Sequence, residues 1–408
     1  MMKNLVKNVE INSQLENFLV ITFIAAFVCL AIGLTTSISI LAGFHIFMIP
    51  SILYFLPKAN YKNYPKSAWF LLLFSVVIIL SICANQEVVA NGYKNIGKVK
   101  YFLYGFLGIA PIAWFSSKHL TKKHISIFLY ILFIATTVGT ISGLIGQFYG
   151  VNPITMRPPN IPERNSGMMG MVMNYSHNLS FILVINVGLI LYRDKIKEFL
   201  NVKFLIVCLL VNLVGFYFSY TRGAWIGFLG ALPFFFFKSN KKMFVVILFL
   251  GLLGGGVAYK LAGHNVQRSS SNAQRIDLWK GSFQAFLDRP FLGYGYLNYE
   301  PHSIEIKQRL NLSTAADISS HSHNNILEIL ATTGMLGFTF FFLWNLFWFL
   351  DLVRNKNFLS SLGLPLFAVF FLGGQTQATI SLGINLFMII FTYYISLPWP
   401  GREAQGGV

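Results

Sequence analysis

Two imidazoles and two carboxamides stand together at His321-Ser322-His323-Asn324-Asn325, where a polar stretch meets an apolar run opening with Ile326-Leu327-Glu328-Ile329-Leu330. An imidazole just ahead of an apolar helix faces the positive end of the helix dipole, which disfavours the imidazolium. His323 is then held neutral, with a ring nitrogen free to accept a proton, as a general base requires. His321 stands as its partner or only its neighbour. Glu328 follows His323 by about one and a half helical turns, either buried and functional or turned to the loop. His-x-His without a nearby carboxylate or cysteine set makes only a weak metal site.

Arginines offer a second chemistry. Arg222 lies in a tight turn between two apolar runs, Tyr220-Thr221-Arg222-Gly223-Ala224-Trp225. Burying Arg at a bilayer centre costs about 2.5–3.5 kcal/mol on insertion scales and less near the surface. Arg222 is therefore an interfacial anchor or an anion clamp. Arg275 carries a planar fork suited to phosphate oxygens. Arg164 and Arg157 sit in the turn-rich stretch 151–166, which holds Pro158, Pro159 and Pro162. Arg289 belongs to a turn before Pro290.

These groups need a scaffold, and composition says which. The 408 residues are 55% hydrophobic, include 41 Phe and are only 11% charged, against roughly 25% charged in soluble domains. Apolar runs near 20 residues long recur throughout, the mark of a polytopic helical membrane protein. Twelve spans are expected, at 18–34, 36–56, 68–84, 101–115, 125–150, 167–192, 204–220, 224–237, 243–263, 325–350, 359–379 and 381–397. The first reads as a retained helix rather than a cleaved leader. Cys29, Cys83 and Cys208 all fall inside apolar runs and suggest neither disulfides nor metal.

The net charge of +17 does not point to nucleic acid, because the basic residues cluster in short loops as topology determinants do. They favour a cytoplasmic N-terminus. The segment 264–322 then faces outward, toward the periplasm in a Gram-negative cell. The chain divides into nine spans over 1–263, a large periplasmic loop over 264–322, three spans over 323–400 and a polar tail over 401–408. Within the loop, apolar positions 276, 279, 283, 286 and 287 predict a short helix starting near Arg275, ended by a turn at Pro290 and Gly293-Tyr294-Gly295. Gln86–Lys100 reads as an amphipathic segment lying on the membrane surface.

The residues now on the page resemble a known family. His323-Asn324 followed by Gly334 and Gly337 is similar to the signature of the O-antigen ligases, which share a superfamily with O-antigen polymerases and some protein O-oligosaccharyltransferases. Thr221-Arg222-Gly223-Ala224-Trp225 resembles that family's second motif. Arg275 with Trp279, then Pro290-Phe291-Leu292-Gly293-Tyr294-Gly295, resembles its third. The stretch from Arg164 through Gly167 to Asn174 resembles a further arginine–glycine segment.

The resemblance implies an all-α, multi-pass protein of the inner (cytoplasmic) membrane with its active site facing the periplasm. It implies an inverting, metal-independent glycosyltransferase of lipopolysaccharide biosynthesis. The donor would be a polysaccharide on undecaprenyl pyrophosphate, and the acceptor a sugar hydroxyl of the lipid A core. His323, Arg222 and Arg275 would carry the chemistry, while Arg164, His321 and Asn324 would bind substrate. Membrane lipids are the other expected partners. An O-antigen polymerase is the nearest alternative, followed by a protein O-glycosylating enzyme. A transporter would place its ionisable residues mid-membrane, whereas the Arg and His candidates here gather at one face and the spans are almost free of charge.

Overall fold

A computed structural model describes residues 5–6, 11–36, 42–89, 92–261, 269–312, 320–355 and 358–397. The expected polar tail at 401–408 lies outside them, as do parts of the large loop at 262–268 and 313–319. Among the described residues the apolar runs of the sequence fall largely on helices, because in lipid a helix satisfies its own backbone hydrogen bonds. In chain order these are α1 (Ser13–Thr36), α2 (Ala42–Phe55), α3 (Lys66–Ala84), α4 (Val99–Leu107), α5 (Ile109–His119), α6 (Lys122–Tyr149), α7 (Val172–Leu191) and the short α8 (Arg193–Ile196). Then follow α9 (Val202–Phe218), α10 (Arg222–Ala231), α11 (Lys241–Leu261), α12 (Ser269–Asp288), α13 (Tyr299–Arg309), α14 (Asn325–Arg354), α15 (Phe358–Gly373) and α16 (Gly383–Ser396). No strand occurs among the described residues.

Five helices are by themselves long and apolar enough to cross a membrane: α1, α3, α6, α7 and α14. A sixth crossing arises if α4 and α5, bent by 52° where they meet, count as one span. The other apolar helices include α2, α9 and α16, each between 10 and 17 residues long. Large apolar side chains stand outward on these helices, among them Ile21, Leu53, Leu210 and Phe342, as a lipid-facing surface requires. The molecule is thus a helical, multi-pass membrane protein.

The core between α14 and α16 is aromatic. Trp344 and Trp348 on α14 are fully buried and stacked, with centroids 5.8 Å apart. Trp348 meets the Tyr393 ring of α16 edge-on at 5.2 Å. Its indole N–H donates to Ser396 Oγ at 2.9 Å, satisfying a donor that lipid would leave unpaired.

α14 breaks at Gly334, whose φ of 63° and ψ of −164° interrupt the helix. The freed backbone groups bond the turn after α12 instead. Met335 N–H donates to Pro290 O at 2.7 Å, and Tyr294 N–H donates to Ala331 O at 2.9 Å. Gly293, with φ of 60°, and Gly334 both let backbones meet face to face. A Cβ on Gly334 would lie 2.4 Å from the Phe291 carbonyl carbon, and one on Gly293 would lie 2.4 Å from that of Thr332. The two glycine motifs of the sequence therefore form one joint between α14 and the turn that follows α12.

Two sequence expectations change. The loop helix starts at Ser269, so Arg275 lies well inside α12 rather than near its start; apolar periodicity cannot register a polar opening turn such as Ser269-Ser270-Ser271-Asn272. The run 359–379 is not one apolar helix. α15 stops at Gly373, and residues 374–382 form a polar segment with a single 3-10 turn.

Candidate active site

The loops that follow α6, α9, α11 and α15 meet at one end of the bundle, and the sequence explains why each turns there. Asn324 caps α14. Its Oδ1 accepts from the N–H groups of Ile326 at 2.9 Å and Leu327 at 3.1 Å, satisfying donors that a helix start leaves open. Its Nδ2 donates to Gln375 O at 3.2 Å, in the segment after α15. Asn325 ties the same two segments together, since its backbone N–H donates to Gly374 O at 2.6 Å.

His323, one residue before the cap, has φ of 49°. A non-glycine residue in that region carries strain of order 1–3 kcal/mol. The twist turns its ring to Gln377: Nδ1 donates to Gln377 Oε1 at 2.6 Å. The Gln377 Nε2 group in turn donates to His321 Nε2 at 3.1 Å. One buried carboxamide thus sets both tautomers, with the proton on Nδ1 of each ring. His323 Nε2 is left as the acceptor, with the Ser320 Oγ at 3.3 Å. The two imidazoles lie with centroids 4.3 Å apart.

The electrostatics hold this pair neutral. Burial first, then the neighbouring His321 and the positive charge of Arg275, push His323 down to about 4. Burial also lowers His321. The helix dipole invoked from the sequence points the same way, but burial is the larger cause.

Glu328 is buried beneath the loop. Its Oε2 accepts from both the backbone N–H and the Oγ of Ser322, each at 2.9 Å. Ser282 Oγ on α12 donates to Ser322 Oγ at 2.7 Å. The carboxylate therefore fastens the residue between the two histidines, and ties it to α12.

Arg222 is the first residue of α10, and its Nη2 donates to Asn272 Oδ1 on α12 at 2.8 Å. Asn272 and Arg275 are three residues apart, one turn on the same side of that helix. Arg222 is thereby tied to the helix that carries Arg275, and Arg275 is close enough for its charge to act on both His323 and His177 of α7. Gly223 is needed behind Arg222, where a Cβ would fall 2.0 Å from Thr376 Oγ1.

Arg164 is placed differently. It is buried, with Nε donating to Ser219 O and Nη2 to Thr221 Oγ1, both at 2.7 Å. These bonds brace the α9–α10 turn from behind, so its visible role is to position Arg222. Arg157 lines a separate cavity of about 400 Å³ against the Gly143 and Gly146 face of α6.

The structure therefore brings together His321, His323, Asn324, Arg222 and Arg275, and sets Arg164 behind them. Sequence reasoning missed Gln377 and Asn272. The signal for Gln377 was present in Gly373-Gly374-Gln375-Thr376-Gln377, a paired glycine and three polar residues inside a nominal span. Among the described residues no three His, Cys, Asp or Glu side chains converge as a metal site.

The arrangement is a neutral imidazole and two guanidiniums at one end of a helical membrane bundle. Residues 204–342 match the family model described as O-antigen ligase. The matched region contains Arg222, Asn272, Arg275, both histidines and both glycines of the α14 joint, while Arg164 and Gln377 lie outside it. No curated protein matches the chain.

Proposed function

We propose that this protein is an O-antigen ligase. It moves a polysaccharide from undecaprenyl pyrophosphate to a sugar hydroxyl of the lipid A core, with inversion and without a metal, at the periplasmic face of the inner membrane. Twelve spans and a cytoplasmic N-terminus complete this reading. The observation that carries it is the neutral His323, with Nε2 available, beside Arg222 and Arg275. The donor's pyrophosphate sits at the headgroup level, where two guanidinium forks hold it and stabilise the charge that develops as it leaves. The acceptor hydroxyl oxygen attacks the anomeric carbon, and its proton passes to His323 Nε2. The carbon–oxygen bond to the pyrophosphate breaks, and its electron pair leaves with the phosphate. Inversion follows because attack and departure occur on opposite faces of that carbon. His321 and Asn324 face the same space and are positioned to touch sugar hydroxyls.

The test is a lipopolysaccharide gel from ligase-deficient cells expressing the chain. A ladder of glycan on the lipid A core is the expected result. Glycan polymerised but retained on the carrier lipid would identify a polymerase instead. Neither product would refute the transferase reading.

A further inference from the structure

α12 belongs to the outward loop, yet one side of it is apolar and uncovered. Ile276 is 50% exposed, Trp279 37%, Phe283 49% and Leu287 52%. Their spacing of three and four residues puts them on one face. Its inner residues Leu278, Ser282 and Ala285 are buried, and Ser282 reaches the site through Ser322. The uncovered face does not end with the helix. Phe291, 80% exposed, follows in the turn whose backbone is bonded to Met335 and Leu336 of α14. Met335, Leu336 and Phe342 are themselves exposed on that membrane-crossing helix. One apolar strip therefore runs from α12 through Phe291 onto the lipid-facing side of α14. Arg275 and Lys280 flank it, and cations beside an apolar face suit the headgroup boundary.

We propose that α12 is seated in the outer-leaflet surface of the bilayer, with Ile276, Trp279, Phe283, Leu287 and Phe291 among the acyl chains. The partner is the lipid itself, because the strip is continuous with a surface that lipid already covers. A helix so placed holds Arg275 at phosphate depth, and its submerged face forms a lateral approach for a lipid-linked substrate toward Arg275 and Arg222. The lipid contact stands on this geometry alone. The approach role rests on the proposed transferase reading.

Trp279 reports the contact directly. In proteoliposomes, the emission difference between the full chain and Trp279→Phe isolates that ring. Brominated phosphatidylcholine is expected to quench most of this difference, while aqueous iodide leaves it nearly unchanged. Quenching by iodide and not by brominated lipid would overturn the proposal. So would protection from iodide that disappears as protein is diluted into lipid, since a second copy of the chain would then cover the face. Phe283→Gln with Leu287→Gln supplies the functional arm: a several-fold rise in KM for the polyprenyl-linked donor, with KM for a short-chain, water-soluble donor unchanged. Equal KM changes for both donors would overturn the approach role. A chain that transfers no glycan at all would refute the proposed function and leave the quenching result standing.

Discussion

Gln377 binds His323 and His321 at once, accepting from the first at 2.6 Å and donating to the second at 3.1 Å. A carboxamide with both ends engaged cannot flip without breaking both bonds. It therefore fixes which nitrogen of His323 can accept a proton. Gln377→Ala should lower kcat about tenfold, the equivalent of one lost hydrogen bond at roughly 1–1.5 kcal/mol, with donor KM little changed. Gln377→Glu should restore part of the rate and raise the His323 pKa, because a carboxylate favours the imidazolium. Steady-state kinetics across pH on both variants checks this. A Gln377→Ala enzyme with unaltered kcat would remove Gln377 from the site.

The free-enzyme pH profile should have an unusually low acid limb. The active form of His323 is neutral, and burial first, then the adjoining His321 and the charge of Arg275, depress its pKa to about 4. The base thus stays unprotonated as pH falls through the ordinary histidine value, and kcat/KM should decline only near pH 4. A bound pyrophosphate offsets the charge of Arg275 and favours the imidazolium. The limb in kcat should therefore lie at higher pH than the limb in kcat/KM. Coincident limbs near 6.5 would contradict the burial argument.

Arg222 bonds Asn272, one turn from Arg275 on α12, so their effects should be coupled. Arg222→Lys and Arg275→Lys keep charge and lose the fork. Each should lower kcat/KM by about 10²-fold, the scale of one lost donor to a developing anion. The double variant should lose less than the product of the two, as groups sharing one ligand do. Transfer rates with a lipid-linked donor measure the coupling, and strict additivity would mean that they bind separate groups.

Much of this site was legible because its parts sit at span ends, where hydropathy changes sharply. His321, His323, Asn324 and Arg222 lie at such breaks, whereas Arg275 stands inside the polar loop on α12. Gln377 was hidden because the apolar residues around Gly373–Thr379 outweigh three polar ones when hydropathy is averaged over a span. Asn272 was hidden in an opening turn with no apolar residue to mark its period. Glu328 was visible, but only the loop geometry shows that it fastens Ser322. The spacing of Gly334 and Gly337 was readable as a motif, whereas the reason for Gly334, a broken helix whose freed N–H bonds Pro290, depends on a contact 45 residues distant in sequence.

That joint yields a stability test. Gly334→Ala forces an alanine to φ of 63°, which costs about 1–2 kcal/mol before any clash, and its Cβ would collide with the Phe291 backbone. The expected outcome is a lower melting temperature in detergent and faster proteolysis within 289–312, together with reduced transfer as α12 moves away from His323. Unchanged proteolysis with full activity would show that the joint is dispensable.

The central claim is that His323 takes the proton of the attacking hydroxyl. It is tested most directly by single-turnover transfer from lipid-linked donor to lipid A core in proteoliposomes, comparing the parent chain with His323→Ala at equal abundance. A positioned general base contributes about 10²–10⁴-fold, so the variant should lose that much of the rate while still binding donor with nearly parental affinity. A His323→Ala enzyme within a few-fold of the parent rate would contradict the mechanism, whatever the fate of the family assignment.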